Sequence, residues 1–116
     1  MDKKSKKSEV NSDLLQQLDI RVGTVVEAKV FAEARKPAYR MLIDFGELGI
    51  LKSSAQITDF YKPNDLKGKQ VVAVVNFPPK QIANLKSECL VLGIETPDGV
   101  VLLQPSHPVN NGFNIA

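Results

Sequence analysis

The stretch Ile20-Arg21-Val22-Gly23-Thr24-Val25-Val26-Glu27-Ala28-Lys29-Val30 decides the fold class. Ile20, Val22, Thr24, Val26, Ala28 and Val30 fall on one side, and the mostly polar Arg21, Gly23, Val25, Glu27 and Lys29 fall on the other. A period of two marks a half-buried strand, because successive side chains of an extended chain point to opposite faces. The strand is long. Gly23 interrupts it where a bulge or sharp bend is tolerated, as a small barrel needs when one strand serves two sides of a closed sheet.

Downstream, Tyr39, Met41, Ile43 and Phe45 alternate against Arg40 and Asp44 as a second strand, which turns through Gly46 to Gly49 into a third around Ile50 to Ser54. Residues 55–68 hold Pro63, Asn64-Asp65 and Gly68, a connection with a short helical turn. Gln70 to Val75 is almost wholly apolar and reads as a strand buried on both faces. Asn76-Phe77-Pro78-Pro79 ends it, since neither proline can donate to a ladder. Cys89 to Ile94 supplies a fifth strand and Val100 to Leu103, after the Pro97-Asp98-Gly99 turn, a short sixth. Upstream, Ser12 is placed to cap a short helix over Asp13 to Leu18, with Leu14 and Leu18 on one face and Leu15 beside them. Two turns of helix cannot stand alone, so those leucines need cover. The expected architecture is all-β: a small five- to six-stranded OB-fold barrel with a short N-terminal helix and a helical connection.

The length of 116 residues fits one domain, with residues 1–11 a Lys- and Ser-rich disordered basic tail and 12–116 the folded unit. The 13 Val, 7 Ile and 12 Leu, against 5 Phe, 2 Tyr and no Trp, give an aliphatic, largely β-branched core. No apolar run approaches the roughly 18 residues of a bilayer span, and no apolar segment follows the basic start, so a cytoplasmic protein without a membrane partner is expected. Cys89 is the single cysteine and cannot form an internal disulfide. The net charge of +2 is unevenly spread: residues 35–86 carry +5, the first ten +2, and the rest compensates. Such polarisation lets a body without an extreme isoelectric point present a basic face to an anion.

Catalytic chemistry finds few candidates. His107 is the only histidine, and neither a second histidine nor a further cysteine exists to complete a metal set or a nucleophile-base pair. Cys89 lies in an expected strand, where a small buried thiol is inert unless positive charge is near. Gly68-Lys69 lacks both the earlier glycine and the following Ser or Thr of a phosphate loop. Gly46-Glu47-Leu48-Gly49 has the form of an RNA-clamping loop but sits between two strands and carries an acid, so it is a hairpin turn. No catalytic residue, metal site or cofactor is expected.

The informative segments are Ile50-Leu51-Lys52-Ser53-Ser54-Ala55-Gln56-Ile57 and Val74 to Glu88. In each, lysine stands beside hydroxyl or amide side chains at a strand end, the composition that contacts a phosphodiester. Read together, Asp19-Ile20-Arg21-Val22-Gly23-Thr24-Val25, Lys52-Ser53-Ser54-Ala55-Gln56-Ile57-Thr58, Tyr61-Lys62-Pro63, Val74-Val75-Asn76-Phe77-Pro78-Pro79 and Lys86-Ser87-Glu88-Cys89-Leu90-Val91-Leu92-Gly93 resemble, over residues 18–116, the tRNA-binding OB-fold family. That family includes the C-terminal domain of bacterial methionyl-tRNA synthetase, the cytokine-like domains of eukaryotic synthetase complexes and the stand-alone CsaA-type proteins. The Asn-Phe-Pro-Pro and Ser-Glu-x-Leu-Val-Leu-Gly segments are most similar to the CsaA type.

The resemblance implies a homodimer that binds tRNA and serves as a chaperone for precursor proteins awaiting export, with no catalysis. It implies tRNA contacts at Lys52, Lys80, Lys86 and Ser87, with Arg40 and Asn76 as weaker candidates. The alternative is a secretion chaperone that binds unfolded polypeptide in an apolar groove made by Phe77, Pro78, Pro79, Ile82 and Leu85, tRNA binding being incidental. The chain departs from the family at Cys89, usually aliphatic, and in its basic tail. Phe113 and Ile115, alternating in a polar C-terminal stretch, need cover as the N-terminal leucines do, and a two-fold contact would bury both ends.

Overall fold

Three alternating segments become three antiparallel neighbours in the computed structural model, which describes residues 5–115. After a short helix α1 (Asp13–Gln17), β1 (Ile20–Val30) pairs with β2 (Tyr39–Asp44), and β2 turns through a 3-10 segment at Gly46–Leu48 into β3 (Ile50–Ala55). A helix α2 (Pro63–Leu66) leads to β4 (Gln70–Val74), which returns to the other edge of β1. A hairpin of β5 (Lys80–Ile82) and β6 (Leu85–Ser87) follows, then β7 (Leu90–Val91) along β4, and a last hairpin of β8 (Gly93–Thr96) and β9 (Gly99–Leu102).

The five-stranded sheet runs β3-β2-β1-β4-β7, and its edges approach each other. The Glu88 amide donates to the Lys52 carbonyl at 2.8 Å, the Lys52 amide to Glu88 Oε1 at 2.9 Å, and Ser53 Oγ to the Cys89 carbonyl at 3.1 Å. Residues 87–89 thus lie along β3 and nearly close the sheet. The fold is the small all-β OB-fold barrel that the strand pattern predicts. Val25, Met41, Ile43, Phe45, Leu66, Val71 and Ala73 fill it, Leu66 inserting from α2.

The inward phase of β1 differs from simple alternation. Val25, expected outside, is fully buried, and the β1–β2 register shifts between Val25 and Glu27. This bulge at Val26 switches the inward face, so that Gly23 and Val25 point in before it and Ala28 packs on the core after it. Gly23 is therefore not the bulge. It lies under Ile43 and Phe45, whose atoms would stand 2.7 and 2.8 Å from a Cβ there. Where the β1–β2 pairing ends at Thr24 and Asp44, the C-terminal segment takes over beside β1: the Val22 amide donates to the Phe113 carbonyl at 3.0 Å, and the Gly112 and Ile115 amides donate to the Val22 and Ile20 carbonyls.

Two local expectations are corrected and one hairpin is unforeseen. The fifth strand breaks at Leu92, whose amide donates to the Val72 carbonyl at 2.8 Å, while Gly93 onward pairs with β9. Gly93 permits the departure, since a Cβ there would lie 2.5 Å from Val100. The β5–β6 hairpin, turning through Ala83 at φ 49°, comes from a polar run with little alternation to announce it. Ser12 is helical and makes no side-chain cap; Asn11 Oδ1 accepts from the Asp13 amide at 2.9 Å instead. Of the expected tail, residues 5–11 are exposed without helix or strand, and Met1 to Lys4 lie outside the described residues.

Leu14, Leu15, Leu18, Phe113 and Ile115 all stand exposed. The chain ends that bear them are tied together at Asp19, which pairs with Arg21 at 2.8 Å and accepts from Asn114 Nδ2 at 3.4 Å. Arg21 also donates to the Gly112 carbonyl at 3.4 Å.

Cys89 is buried, and that burial pushes its thiol up to about 11, against a weaker opposing hydrogen bond with Ser53 and with a small reinforcement from Glu88. The folded state therefore keeps the thiol proton over a range where the unfolded chain, with an ordinary value of about 8.5, loses it. This contribution to stability is complete below about pH 8.5 and is lost as pH rises towards 11. Because thiolate is the nucleophile, alkylation of native protein at pH 8 is expected to run roughly 100-fold slower than in urea. Rapid native modification would contradict this burial.

Candidate nucleic-acid interface

The barrel fixes which side chains of β1 to β3 face outward. Tyr39, Met41 and Ile43 are buried, so Arg40 and Leu42 point out; Ser53 is buried, so Lys52 and Ser54 point out. Cross-strand register then assembles two rows across the outer face: Glu27, Leu42 and Lys52 in one, Lys29, Arg40 and Ser54 in the other. Glu27, Leu42, Lys52, Lys29 and Arg40 of these rows floor a groove of about 520 Å³, with Glu33 and Leu85 also lining it. A volume of this size suits a small group held by several side chains.

The electrostatics are mixed. Lys29 Nζ meets Glu27 Oε1 at 2.8 Å, and this hydrogen bond, with the charges of Lys29, Lys67 and Arg40, holds the Glu27 carboxyl below its ordinary range. The Arg40 guanidinium stands over the Phe31 ring at 5.4 Å, which restricts a long side chain before any ligand arrives. Asn84 Nδ2 donates to Glu33 Oε2 at 3.3 Å. Three cations and two carboxylates therefore share the groove. Converging cations can hold a phosphodiester, and the carboxylates can accept from amino groups.

The structure brings Arg40 and Lys52 together in the groove and distributes the other expected contacts elsewhere. Within the β5–β6 hairpin, Lys80 lies opposite Ser87 and Gln81 opposite Lys86, so alternation directs Lys80 and Lys86 to opposite faces. Both lysines are exposed. Ser87 is buried: its Oγ accepts from the Ser54 amide and donates to the Cys89 carbonyl, each at 3.3 Å, bracing the barrel closure. Asn76 holds α1, its Oδ1 accepting from the Asp19 amide at 2.8 Å and its Nδ2 donating to the Gln17 carbonyl at 2.9 Å. Asn76→Ala should thus cost about 1–2 kcal/mol in urea unfolding while leaving the salt dependence of tRNA binding unchanged. A changed salt slope at full stability would make Asn76 a ligand contact.

The five apolar candidates also separate. Leu85 is buried and Ile82 packs with it against Phe31 and Ala38, whereas Phe77, Pro78 and Pro79 are exposed. Sequence reasoning missed Glu27, Lys29 and Leu42. Their signal is the register between β1 and β2, which depends on the bulge at Val26.

Comparison with known proteins places the chain in a family. Residues 20–114 match the family described as "Putative tRNA binding domain". The crystal structure of chaperone CsaA from Bacillus anthracis str. Ames is similar at a TM-score of 0.89 and 55% identity, covering 94% of this chain and 100% of that one. The CsaA chaperone protein from Picrophilus torridus has a TM-score of 0.89 and 50% identity over 93% of this chain and 100% of its own. The methionine–tRNA ligase of Methanococcoides burtonii is 32% identical over 104 residues, 89% of this chain but 15% of the ligase, so the chain spans a small part of such relatives. The chain belongs to the tRNA-binding domain family, on its CsaA-type branch.

Proposed function

We propose that the protein is a non-enzymatic tRNA-binding homodimer of the cytoplasm with an export-related chaperone role. The observation that carries the reading is the outward groove of Lys29, Arg40 and Lys52 on a domain whose family is defined by tRNA binding. Lys80 and Lys86 stand exposed on the neighbouring hairpin, and since they face opposite ways only one of them can extend this basic surface. The homodimer reading rests on exposed Leu14, Leu15, Leu18, Phe113 and Ile115, drawn together around Asp19. The cytoplasmic reading goes with tRNA as partner; among the described residues no helix is long and apolar enough to cross a membrane.

A second reading, polypeptide as the primary client, draws on the exposed Phe77-Pro78-Pro79 stretch before β5. The two separate by salt. Titration of the intact protein with bulk tRNA should give an affinity that falls steeply and linearly on a log-log salt plot, with sedimentation showing a dimer at micromolar concentration. Salt-independent binding of unfolded polypeptide without measurable tRNA affinity would favour the second reading, and a monomer would remove the two-fold contact.

A further inference from the structure

The groove holds more than phosphate binding requires. A surface built only to neutralise a backbone gains nothing from carboxylates, yet Glu27 stands in the middle of β1 within the groove and is held ionised by Lys29 at 2.8 Å and by the charges of Lys67 and Arg40. The row it belongs to is ordered across three strands: the acid Glu27, the apolar Leu42, the cation Lys52. Two strand spacings make this row about 10 Å wide. The sequence acid, apolar platform, cation matches the parts of one nucleotide laid across the sheet: a base edge with donors, a base face and a phosphate.

We infer that the groove takes a single unpaired nucleotide of the RNA, its base lying on Leu42, its donor edge on the Glu27 carboxylate and its phosphate on Lys52 and Arg40. Guanine is the base of choice, because its ring N–H and exocyclic amino group are adjacent donors that match the two oxygens of a carboxylate, whereas uracil offers only one ring N–H. Lys29, at 2.8 Å, fixes the carboxylate and adds its own charge to the cations that face the phosphates. A paired guanine has this edge occupied by its partner, so the ligand is a loop or a single-stranded end and not a duplex. The inference rests on the groove being the RNA site proposed above.

The test compares two short single-stranded oligouridylates, one carrying a single guanosine, and intact bulk tRNA, with wild-type protein, Glu27→Gln and Lys52→Ala. Glu27 is exposed enough on its strand for the isosteric amide to leave the barrel unchanged, which far-ultraviolet circular dichroism would confirm. The expected result is a preference of about tenfold for the guanosine oligomer in the wild type, lost in Glu27→Gln, with Lys52→Ala weakening both oligomers alike. Removing a negative charge from a pure phosphate site must strengthen every RNA. Tighter binding of both oligomers by Glu27→Gln, or no preference in the wild type, would therefore overturn the inference. Binding of tRNA with no affinity for either oligomer would also overturn it while leaving the tRNA site standing. Absence of binding to all three RNAs would remove the tRNA reading itself.

Discussion

Gly23→Val should destabilise the barrel by several kcal/mol, on the order of its whole stability at the low end of the usual range. An added Cβ would lie 2.7 Å from Ile43 Cγ2 and 2.8 Å from Phe45 Cδ1 and Cε1, closer than side chains pack. Ile43 and Phe45 are themselves fully buried, and Ile43 is held in the β1–β2 ladder opposite Val25, so neither can move outward without breaking strand pairing. Overpacking of this kind costs about 1–3 kcal/mol for one or two carbons, and valine adds three against a domain stability of roughly 5–15 kcal/mol. Gly23→Ala should survive with its urea midpoint lowered. Gly49→Ala is the contrast: nothing lies within 4 Å of its Cβ, but φ is +85° with ψ −164°, so the cost is backbone strain alone, about 1–3 kcal/mol. A Gly23→Val protein with the wild-type midpoint would mean that β1 does not pass under Ile43 and Phe45 as described.

Removing Lys29, Arg40 and Lys52 together should produce the largest loss of RNA binding. Each phosphate contact contributes about 0.9 to the magnitude of the log-log salt slope, which corresponds to roughly tenfold in affinity near 0.1 M salt. Three alanines should then lower tRNA affinity on the order of 100-fold to 1000-fold and flatten the slope by about 3, or twice that if both copies of a two-fold dimer touch one RNA. The three side chains stand on the outer face of a paired sheet, so the barrel should remain folded. Arg40→Ala also removes the ring contact with Phe31, a small local effect on the cluster of Phe31, Ala38 and Leu85.

The parts of this account that sequence makes legible are those with a strong local period. Tyr39, Met41 and Ile43 alternate cleanly and become the inward face of β2; the apolar Gln70 to Val74 run becomes the buried strand β4. The segment motifs around Lys52, Asn76-Phe77-Pro78-Pro79 and Ser87 carry the family. What stays hidden is set by long-range register. A bulge is one extra residue in a pairing, and nothing in Val25-Val26-Glu27 distinguishes it from continuous strand, so the inward phase of β1 and the groove row of Glu27, Leu42 and Lys52 could not be read. The structural partners of Ser87 and Asn76 are hidden for a related reason. A polar side chain at a strand end looks like a ligand contact, and only the folded chain reveals that its partners are the Ser54 and Asp19 amides.

The most direct test of the central claim, that the outer face of β1 to β3 is the tRNA site, is the salt slope of tRNA binding measured side by side for the wild type, the Lys29→Ala/Arg40→Ala/Lys52→Ala variant and a protein lacking residues 1–11. Residues 5–11 are exposed outside any helix or strand, and ordering such a segment on a ligand costs conformational entropy, so deletion of residues 1–11 should change affinity little. The account predicts a slope reduced by about 3 or more for the groove variant and near wild type for the deletion. A deletion that abolishes binding, alongside a groove variant with wild-type affinity and slope, would contradict it.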